Sequence, residues 1–324
     1  MTRAGLESEA VKRLVRGTGD ETLQGILVRC LDGSISPSIG LMQMLIETED
    51  AAAVRAAVDD VTRRAADLSR SGDNLVRDRV DELTQLVVEN EPGCSRIAEM
   101  LRSGMDSPDQ AATIEEGIAF CERLFDWSVQ QSEEASVALY SLGNPEILER
   151  ATREIIDQLE RWQVIVPDRT VLDIGCGIGR LEVELASRVN AVHGIDVSAQ
   201  MINAATRRCG PLLNVHLQKG TGRDLSEYSD KMFDAAIAVD TFPYICQSGA
   251  ALVDRYFAEA ARVLKPGGDL VILNFCYGSD DATDRKTVRK LATRHSFDVI
   301  VAGKRPFALW DGLAFHLRKR IEGS

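Results

Sequence analysis

The stretch that decides the fold is TVLDIGCGIGRLEVELA, Thr170 to Ala186. A run of branched apolar residues ends at Ile174, glycines follow at alternate positions, and an amphipathic helix begins near Arg180. Branched apolar residues favour a buried strand, and glycines permit positive φ and a close approach between backbone and ligand. The stretch therefore predicts a strand, a ligand-binding turn and a helix whose first N–H groups face the ligand.

The spacing of the glycines narrows the class of ligand. The dinucleotide fingerprint G-x-G-x-x-G would place its third glycine at position 180, where this chain has Arg180. Gly179 comes one residue early instead, and Asp173 lies within the end of the strand. A carboxylate there would repel a pyrophosphate and attract an ammonium group. The stretch favours a ligand with an ammonium group over a dinucleotide.

The rest of the chain shows two regions with different periodicity. From about Glu21 to Phe120, apolar residues recur at helical spacing between breakers such as DGSISPS and NEPG, which predicts a bundle of short helices. After Val164, short runs such as AVHGIDV and DLVILNF alternate with amphipathic helices. This alternation predicts a mostly parallel sheet with helices on both faces and a ligand site at the carboxyl ends of its strands.

Composition excludes several classes of function. The net charge of −12 argues against nucleic-acid binding, which needs clustered Lys and Arg. The seven cysteines form no close pair, so neither a zinc site nor a disulfide framework fits, and H-x-x-H is absent, so we expect no metal. No apolar run approaches the roughly 18 residues of a membrane span. We expect a cytoplasmic protein that contacts neither membrane nor nucleic acid.

Four motifs, VLDIGCGIG, VHGIDVSAQMI, FDAAIAVD and ARVLKPGGDLVIL, follow one another in an order and spacing that resemble the class I S-adenosylmethionine-dependent methyltransferases. The resemblance covers roughly residues 165–324. It implies an α/β fold with a Rossmann-like, doubly wound, mostly parallel seven-stranded sheet whose last strand is antiparallel, preceded by an N-terminal all-α module. It also implies S-adenosyl-L-methionine as the cofactor. Within the fourth motif, LKPGG predicts a helix stop and a tight turn into the next strand.

Two domains are expected. Residues 1–120 form the helical module, with a role in association or in covering the substrate site, and residues 121–324 form the methyltransferase domain. Residues 121–165 precede the sheet where relatives place a helical lid, and Tyr140 in this segment is a candidate for closing the site and excluding water. The helical module is also a candidate contact for a homodimer.

The resemblance assigns cofactor contacts residue by residue. Asp173 would reach the methionyl ammonium group, and Asp196 would bind both ribose hydroxyls. Met201 is assigned either to the adenine face or to the helix core. Relatives often carry an acid after the third strand where KGTGRDL has Thr221, which leaves the adenine contact to the backbone of Gly222 or to Asp224. The complete expected cofactor set is Asp173, Gly175, Cys176, Gly177, Asp196, Val197, Met201, Gly222, Arg223, Asp240 and Tyr140.

The acceptor of the methyl group is expected near the loop after the fourth strand, VDTFPYI. Asp240 is a candidate general base, with cofactor contact or helix capping as the alternative. Tyr244 is a candidate for binding or walling the acceptor, with packing as the alternative. These two residues form the expected catalytic set.

Three functions remain open on the sequence alone. The first is methyl transfer to an N, O or C atom of a small metabolite or natural-product acceptor. The second is methylation of a protein or peptide that the helical module docks, and the third is a non-catalytic scaffold that binds the cofactor. A dehydrogenase remains a further alternative, which tight NAD binding without S-adenosylhomocysteine binding would reveal.

Overall fold

The computed structural model describes residues 3–66, 74–103, 113–277 and 279–321, in two compact units. The first unit comprises Met1–Gly104, Glu134–Leu148 and Ala308–Asp311. The second comprises Met105–Glu133, Glu149–Phe307 and Gly312–Ser324. The short helix α8 (Glu133–Val137) and the longer α9 (Pro145–Arg161) each contain residues of both units.

The first unit is helical, as the periodicity predicts. Its helices are α1 (Arg3–Val15), α2 (Glu21–Leu31), α3 (Pro37–Thr48), α4 (Ala51–Ala65), α5 (Asn74–Glu89) and α6 (Glu91–Arg102), with a 3-10 turn at Leu139–Ser141. The breakers supply caps, because the side chains of Asp20, Ser36 and Asp50 each accept a backbone N–H in the first turn of the following helix. The apolar faces are buried against one another and form the core of this unit.

The second unit contains one seven-stranded sheet, in the order β3-β2-β1-β4-β5-β7-β6. Strand β7 runs antiparallel to both of its neighbours, β5 and β6, and the other pairs of neighbouring strands are parallel. This arrangement confirms the predicted Rossmann-like sheet with an antiparallel last strand in chain order. The strands are β1 (Thr170–Ile174), β2 (Ala191–Asp196), β3 (Val215–Lys219), β4 (Phe233–Val239), β5 (Leu264–Leu273), β6 (Phe297–Lys304) and β7 (Ala314–Lys319).

Amphipathic helices accompany the sheet in the second unit. They are α7 (Ile114–Gln131), α10 (Arg180–Leu185), α11 (Ala199–Cys209), α12 (Phe242–Gln247), α13 (Ala250–Val263) and α14 (Asp281–Arg294). The chain adds β2 and β3 on one side of β1 and then returns to add β4 on the other side, from where the sheet continues. The strand order therefore reverses between β1 and β4, which is the topological switch point of the sheet. Ligands of such sheets bind at this switch, beyond the carboxyl ends of the strands.

The LKPGG motif differs from its prediction in one respect. Helix α13 ends at Val263, as expected. The next residue, Leu264, already begins β5 and pairs with Phe233 of β4. Regular pairing resumes only between Ala235 and Asp269, so the intervening residues form an irregularity inside the strand. The turn chemistry of Pro and Gly is therefore used for a bulge rather than for a separate loop.

The expected domain boundary at residue 120 falls inside α7, which begins at Ile114 and continues to Gln131. A capping box at Thr113 and Glu116 starts this helix. The domain limits 1–120 and 121–324 stay a prediction. No described helix is long and apolar enough to cross a membrane.

A buried charge cluster ties β5 to β7 and to the residue before β1. Asp269 is fully buried and accepts hydrogen bonds from His316 Nε2 at 2.8 Å, Arg169 Nη1 at 2.6 Å and Arg318 Nε at 2.9 Å. Trp162 stacks on His316 with ring centroids 5.6 Å apart. Burial alone would raise the pKa of Asp269, but these hydrogen bonds outweigh it and hold the pKa below its usual value.

Candidate functional site

The glycine turn after β1 is fixed to the end of β2. Gly175 N and Cys176 N both donate to Ile195 O, at 2.8 and 3.1 Å, and Gly177 N donates to Asp196 Oδ2 at 3.0 Å. Gly175 and Gly177 have positive φ, as the sequence predicts for the turn. Gly175 has a second reason to lack a side chain, because a Cβ there would lie 2.2 Å from Thr241 Oγ1.

Asp196 ends β2 and is half-buried beside the glycine turn. Its Oδ1 accepts from Ser198 N at 2.8 Å while its Oδ2 accepts from Gly177 N, so the carboxyl group has one fixed orientation. Burial raises the pKa of Asp196 to about 6, although hydrogen bonds from the backbone N–H groups of Ser198, Gly177 and Val197 act to lower it. The group is therefore ionised at neutral pH and can accept further hydrogen bonds.

Asp173 lies lower in β1, one residue before its end, and is 1 % exposed. Burial raises its pKa to about 7, while a hydrogen bond with Glu182 and the charge of Arg180 act in the opposite direction. Glu182 is in α10 and is itself fully buried. The structure thus brings Asp173 close to the glycine turn, as predicted, and pairs it with a second carboxyl group.

The other expected cofactor residues differ in exposure. Met201 is 1 % exposed and Cys176 is buried, whereas Val197 and Gly222 are half-buried. Val197 and Gly222 lie against each other, because a Cβ on Gly222 would be 3.3 Å from Val197 Cγ2. Arg223 is exposed at the surface of the same loop, with its Nε 3.8 Å from Glu115 Oε1. Contact of these residues with a cofactor stays a prediction.

Two further candidates have local partners of their own. Tyr140 is buried in the first unit, where its ring stacks on Trp310 at a centroid distance of 6.3 Å, and its place in the cofactor set stays a prediction. Asp224 is occupied by a local turn, because its Oδ1 accepts from both the backbone N and the Oγ of Ser226.

Asp240 follows β4 and has an unusual backbone. Its φ is +56°, in the left-handed region, and Asn274 after β5 has a φ of +71°. Asn274 Nδ2 donates to Asp240 Oδ1 at 2.8 Å, and Asp240 N donates to Leu273 O. Asp and Asn are the non-glycine residues that adopt this region most readily. The left-handed backbone and the hydrogen bond between the two side chains fix Asp240 at the edge between β4 and β5, which is a candidate reaction site.

Aromatic side chains cluster around Tyr244, on which the charge of Asp240 acts. Tyr244 in α12 makes edge contacts with Phe125 at 4.8 Å and with Tyr277 at 5.9 Å between ring centroids. Burial and the charge of Asp240 raise the pKa of Tyr244, and a hydrogen bond with Tyr277 opposes this rise. Tyr277 is 47 % exposed. Asp240 and Tyr244 are thus brought together as predicted, in an aromatic environment.

Helix α7 lies across the loops that follow β2, β3 and β4. Asp126 Oδ1 accepts from Ser198 Oγ at 2.6 Å and from Gln200 N at 3.0 Å, and Glu122 forms an ion pair with Lys219. Gly117 approaches Ser248 so closely that a Cβ would lie 2.4 Å from its Oγ. The three loops carry the expected ligand contacts, so α7 covers the carboxyl edge of the sheet.

Asp126→Ala should loosen this cover. The substitution removes two acceptors that hold α7 to the start of α11, at a cost of about 1 kcal/mol or more, so amide hydrogen exchange in α7 should accelerate by about tenfold. Hydrogen exchange read by mass spectrometry over α7 measures this effect. The matched control is Gln130→Ala, at an exposed position of the same helix. Equal exchange in the two variants would contradict the role of Asp126.

The sequence did not predict the contribution of five side chains to this region: Glu182, Asp126, Asn274, Tyr277 and Thr241. The position of Glu182 could have indicated it, since Glu182 is an acid on the apolar face of a short helix directly after the glycine turn. Asp126 had none, because an acid on a helix is ordinarily solvated. Within the described parts of the chain, no group of three His, Cys, Asp or Glu side chains is placed to hold a metal ion.

Comparison with known proteins bears on the segment of the chain that carries this site. Residues 171–268 match the family model of a methyltransferase domain. The chain is 37 % identical over 107 residues to a demethylmenaquinone methyltransferase of Tropheryma whipplei, which covers 33 % of this chain and 42 % of that protein. It is 34 % identical over 127 residues to phosphoethanolamine N-methyltransferase 3 of Arabidopsis thaliana, covering 39 % of this chain and 24 % of that protein. The chain thus spans less than half the length of these two relatives.

Among solved structures, a phosphoethanolamine N-methyltransferase of Haemonchus contortus, in complex with phosphoethanolamine and S-adenosylhomocysteine, has the same fold. Its TM-score is 0.52 at 16 % identity, over 65 % of this chain and 51 % of that one. At this identity the likeness concerns the fold alone.

Proposed function

We propose that this chain, whose sheet carries a class I S-adenosylmethionine-dependent methyltransferase domain, transfers a methyl group from S-adenosyl-L-methionine to a small-molecule acceptor. The observation that carries the proposal is the position of Asp196. It ends β2 beside the glycine turn, with its carboxyl group held by Gly177 N and Ser198 N, inside the segment that matches the family model.

The residues present fit this cofactor. The ionised carboxylate of Asp196 suits a pair of ribose hydroxyls, which are donors. A buried oxygen of Asp173, Oδ1, has no hydrogen-bond donor among the described residues, which suits an ammonium group arriving at the glycine turn. The acidic pair argues against a pyrophosphate at the same place.

The residues around Asp240 define what the chain contributes to the reaction. S-adenosyl-L-methionine supplies the electrophilic methyl group when bound, and the protein supplies positioning. Phe125, Tyr244 and Tyr277 offer apolar and edge contacts for an acceptor with an aromatic or otherwise planar body. We assign to Asp240 the role of the base that accepts a proton from a hydroxyl group of that acceptor. Helix α7 excludes water from the same edge.

Transfer of a labelled methyl group tests the proposal. S-adenosylmethionine carrying a labelled methyl group is incubated with the protein and with separated small-molecule and protein fractions of a cell extract. Label in the small-molecule fraction supports the proposal, and label in the protein fraction supports a protein or peptide methyltransferase instead. No label in either fraction, with S-adenosylhomocysteine still bound, would support a non-catalytic scaffold.

Asp240→Asn separates a base from a cofactor contact. Asparagine tolerates the left-handed backbone and keeps an oxygen for Asn274, but it cannot take a proton. For an acceptor hydroxyl we expect kcat to fall by about 100-fold or more, with the Kd for S-adenosylhomocysteine within about threefold of the wild-type value. The measurements are methyl-transfer rates and calorimetric binding. An unchanged kcat would remove the base role, and a large rise in Kd would assign Asp240 to the cofactor.

The remaining features of the proposal concern the whole protein. We assign residues 121–165 to a lid, in which Glu122 and Asp126 of α7 contact Lys219, Ser198 and Gln200 at the strand ends. The helical module is proposed as a homodimer contact or as a cover of the acceptor site, and the location as cytoplasmic. Sedimentation of the full chain distinguishes a monomer from a homodimer.

A further inference from the structure

The side chain of Glu182 occupies a space that the sheet leaves open for it. Gly194, in the middle of β2, pairs with Asp173 of β1. A Cβ on Gly194 would lie 2.8 Å from Glu182 Oε1 and 2.9 Å from Cys176 Cβ. The carboxyl group of Glu182 therefore lies over Gly194, the partner of Asp173 in the neighbouring strand, and the two buried carboxyl groups act on each other's pKa. The glycine in β2 is needed for this contact.

The contact between the two carboxyl groups requires a proton. Asp173 is 1 % exposed and Glu182 is fully buried. Two carboxylates in contact without water repel each other strongly, so one of them keeps its proton and donates it to the other. Apart from the backbone N–H of Glu182 itself, both oxygens of Glu182 and Oδ1 of Asp173 have no other hydrogen-bond donor among the residues described.

The charges nearby allow one carboxylate in the pair. The charge of Arg180 acts on both groups, and its Nη1 donates to Thr152 Oγ1 at 3.2 Å. This single guanidinium favours one carboxylate in the pair over two. The other titratable groups that face the pair carry no positive charge: they are Cys176 of the glycine turn, Asp196 of β2, Cys209 of α11 and Tyr228 of the loop after β3.

Glu182 is the group that keeps the proton. Burial and the charge of Asp173 raise the pKa of Glu182 well above its usual value, whereas the pKa of Asp173 rises only to about 7. Above neutral pH, Asp173 is thus the carboxylate and Glu182 the donor. Burial also raises the pKa values of Cys176, Cys209 and Tyr228, so these groups stay neutral and do not compete.

We propose that Glu182 is a positioning residue of the cofactor site: as a neutral acid it donates one hydrogen bond to Asp173 and holds it as an oriented carboxylate for the ammonium group of the cofactor. The inference rests on the proposed function, since it needs a ligand with an ammonium group at the glycine turn. Glu182 touches no ligand itself and acts through Asp173.

Two substitutions show whether Glu182 acts as a hydrogen-bond donor or only fills space in the core. Glu182→Gln keeps the shape and a permanent N–H donor, and Glu182→Leu keeps most of the volume and removes the donor. Binding of S-adenosylhomocysteine is measured by calorimetry from below to above the pKa of Asp173. We expect Glu182→Gln to bind within about twofold of the wild type, and Glu182→Leu to bind about tenfold more weakly at neutral pH. The affinity of Glu182→Leu should recover at higher pH, because loss of the donor raises the pKa of Asp173 and its carboxylate then forms only at a higher pH than in the wild type.

The protonation of Glu182 has a readout that needs no cofactor. In the wild-type protein we expect the infrared C=O stretching band of a buried protonated carboxylic acid, and Glu182→Gln should remove that band. Glu184→Gln is the matched control, because Glu184 lies on the same helix and pairs with Arg188 at 3.0 Å. Melting curves show which variants are folded, and the comparison of Glu182→Gln with the wild type stands even where Glu182→Leu fails to fold.

Three results would overturn the inference. They are a Glu182→Gln variant that loses affinity to the same extent as Glu182→Leu, an infrared band that persists in Glu182→Gln, and a folded Glu182→Leu with the wild-type affinity and pH profile. If the wild-type protein bound no S-adenosylhomocysteine at any pH, the proposed function would fall and the role toward the cofactor with it. The infrared band would then still report whether the carboxyl pair shares a proton, which keeps the two failures distinct.

Discussion

Asp196→Ala should weaken the binding of S-adenosylhomocysteine by about 100-fold or more. A carboxylate that accepts two hydroxyl donors contributes two charge-assisted hydrogen bonds, each of about 1.5–3 kcal/mol. Calorimetric titration of the wild-type and variant proteins measures the ratio of Kd values. This is the largest effect on binding that we expect from a single residue of the site.

Asp196 also holds the glycine turn, so a control for structure is needed. Asp196→Asn keeps one oxygen for Ser198 N or Gly177 N and removes the charge, and we expect a Kd between those of the wild type and the alanine variant. Asp298→Asn, on the surface in an ion pair with Arg320, should leave binding unchanged. Near-wild-type affinity in a folded Asp196→Ala protein would remove the residue from the cofactor site.

The same group sets a lower pH limit for binding. Since the pKa of Asp196 is raised to about 6, its carboxylate becomes protonated as the pH falls through that value. The protonated form loses acceptor strength toward the ribose hydroxyls, so affinity should fall below about pH 6. Asp196→Asn should lose this part of the pH dependence while keeping any part that comes from Asp173.

Asp269→Ala should destabilise the second unit by about 3 kcal/mol or more. Removal of one partner from a buried charge cluster leaves the others without compensation, and here His316, Arg169 and Arg318 all lose their common acceptor. Urea unfolding followed by far-UV circular dichroism and by tryptophan fluorescence measures the change, and Trp162 lies on His316 as a reporter. Asp298→Asn again serves as the control, with an expected change within about 0.5 kcal/mol.

Acid should mimic the substitution of Asp269. The pKa of Asp269 is lower in the folded protein than in the unfolded chain, so its contribution to stability is present above the unfolded pKa of about 3.9 and is lost as the pH falls through the folded value. The difference in stability between wild type and Asp269→Ala should therefore shrink in strong acid. A difference that did not change with pH would show that the cluster acts through packing alone.

The sequence predicts the sheet of this protein because the strand signals are local. Apolar runs and the glycine turn predict the strands, and the family resemblance of four motifs implies the seven-stranded sheet. Asp196 and Asp240 do lie at the end of β2 and directly after β4, as their places in the motifs predict. The partners of these residues depend on contacts distant along the chain. Asn274 reaches Asp240 only after β5 has paired with β4, and no local pattern announces it.

Helix α7, which lies over the candidate site, is a second feature whose contacts the sequence does not predict. The periodicity of α7 gives its apolar face, but not the surface against which that face packs, and a boundary drawn where the composition changes falls inside the helix. Gly194 is a related case, since a glycine within a strand signals a close approach without saying what approaches. The approaching group is Glu182, an acid that composition alone would place in solvent.

Helix α7 has a kinetic consequence for the proposed methyl transfer. Asp126, Glu122 and Gly117 contact residues at or after the carboxyl ends of β2, β3 and β4. For a cofactor bound at those ends, we expect α7 to detach before the product leaves. We therefore expect the opening frequency of this helix, rather than the chemical step, to limit the turnover rate.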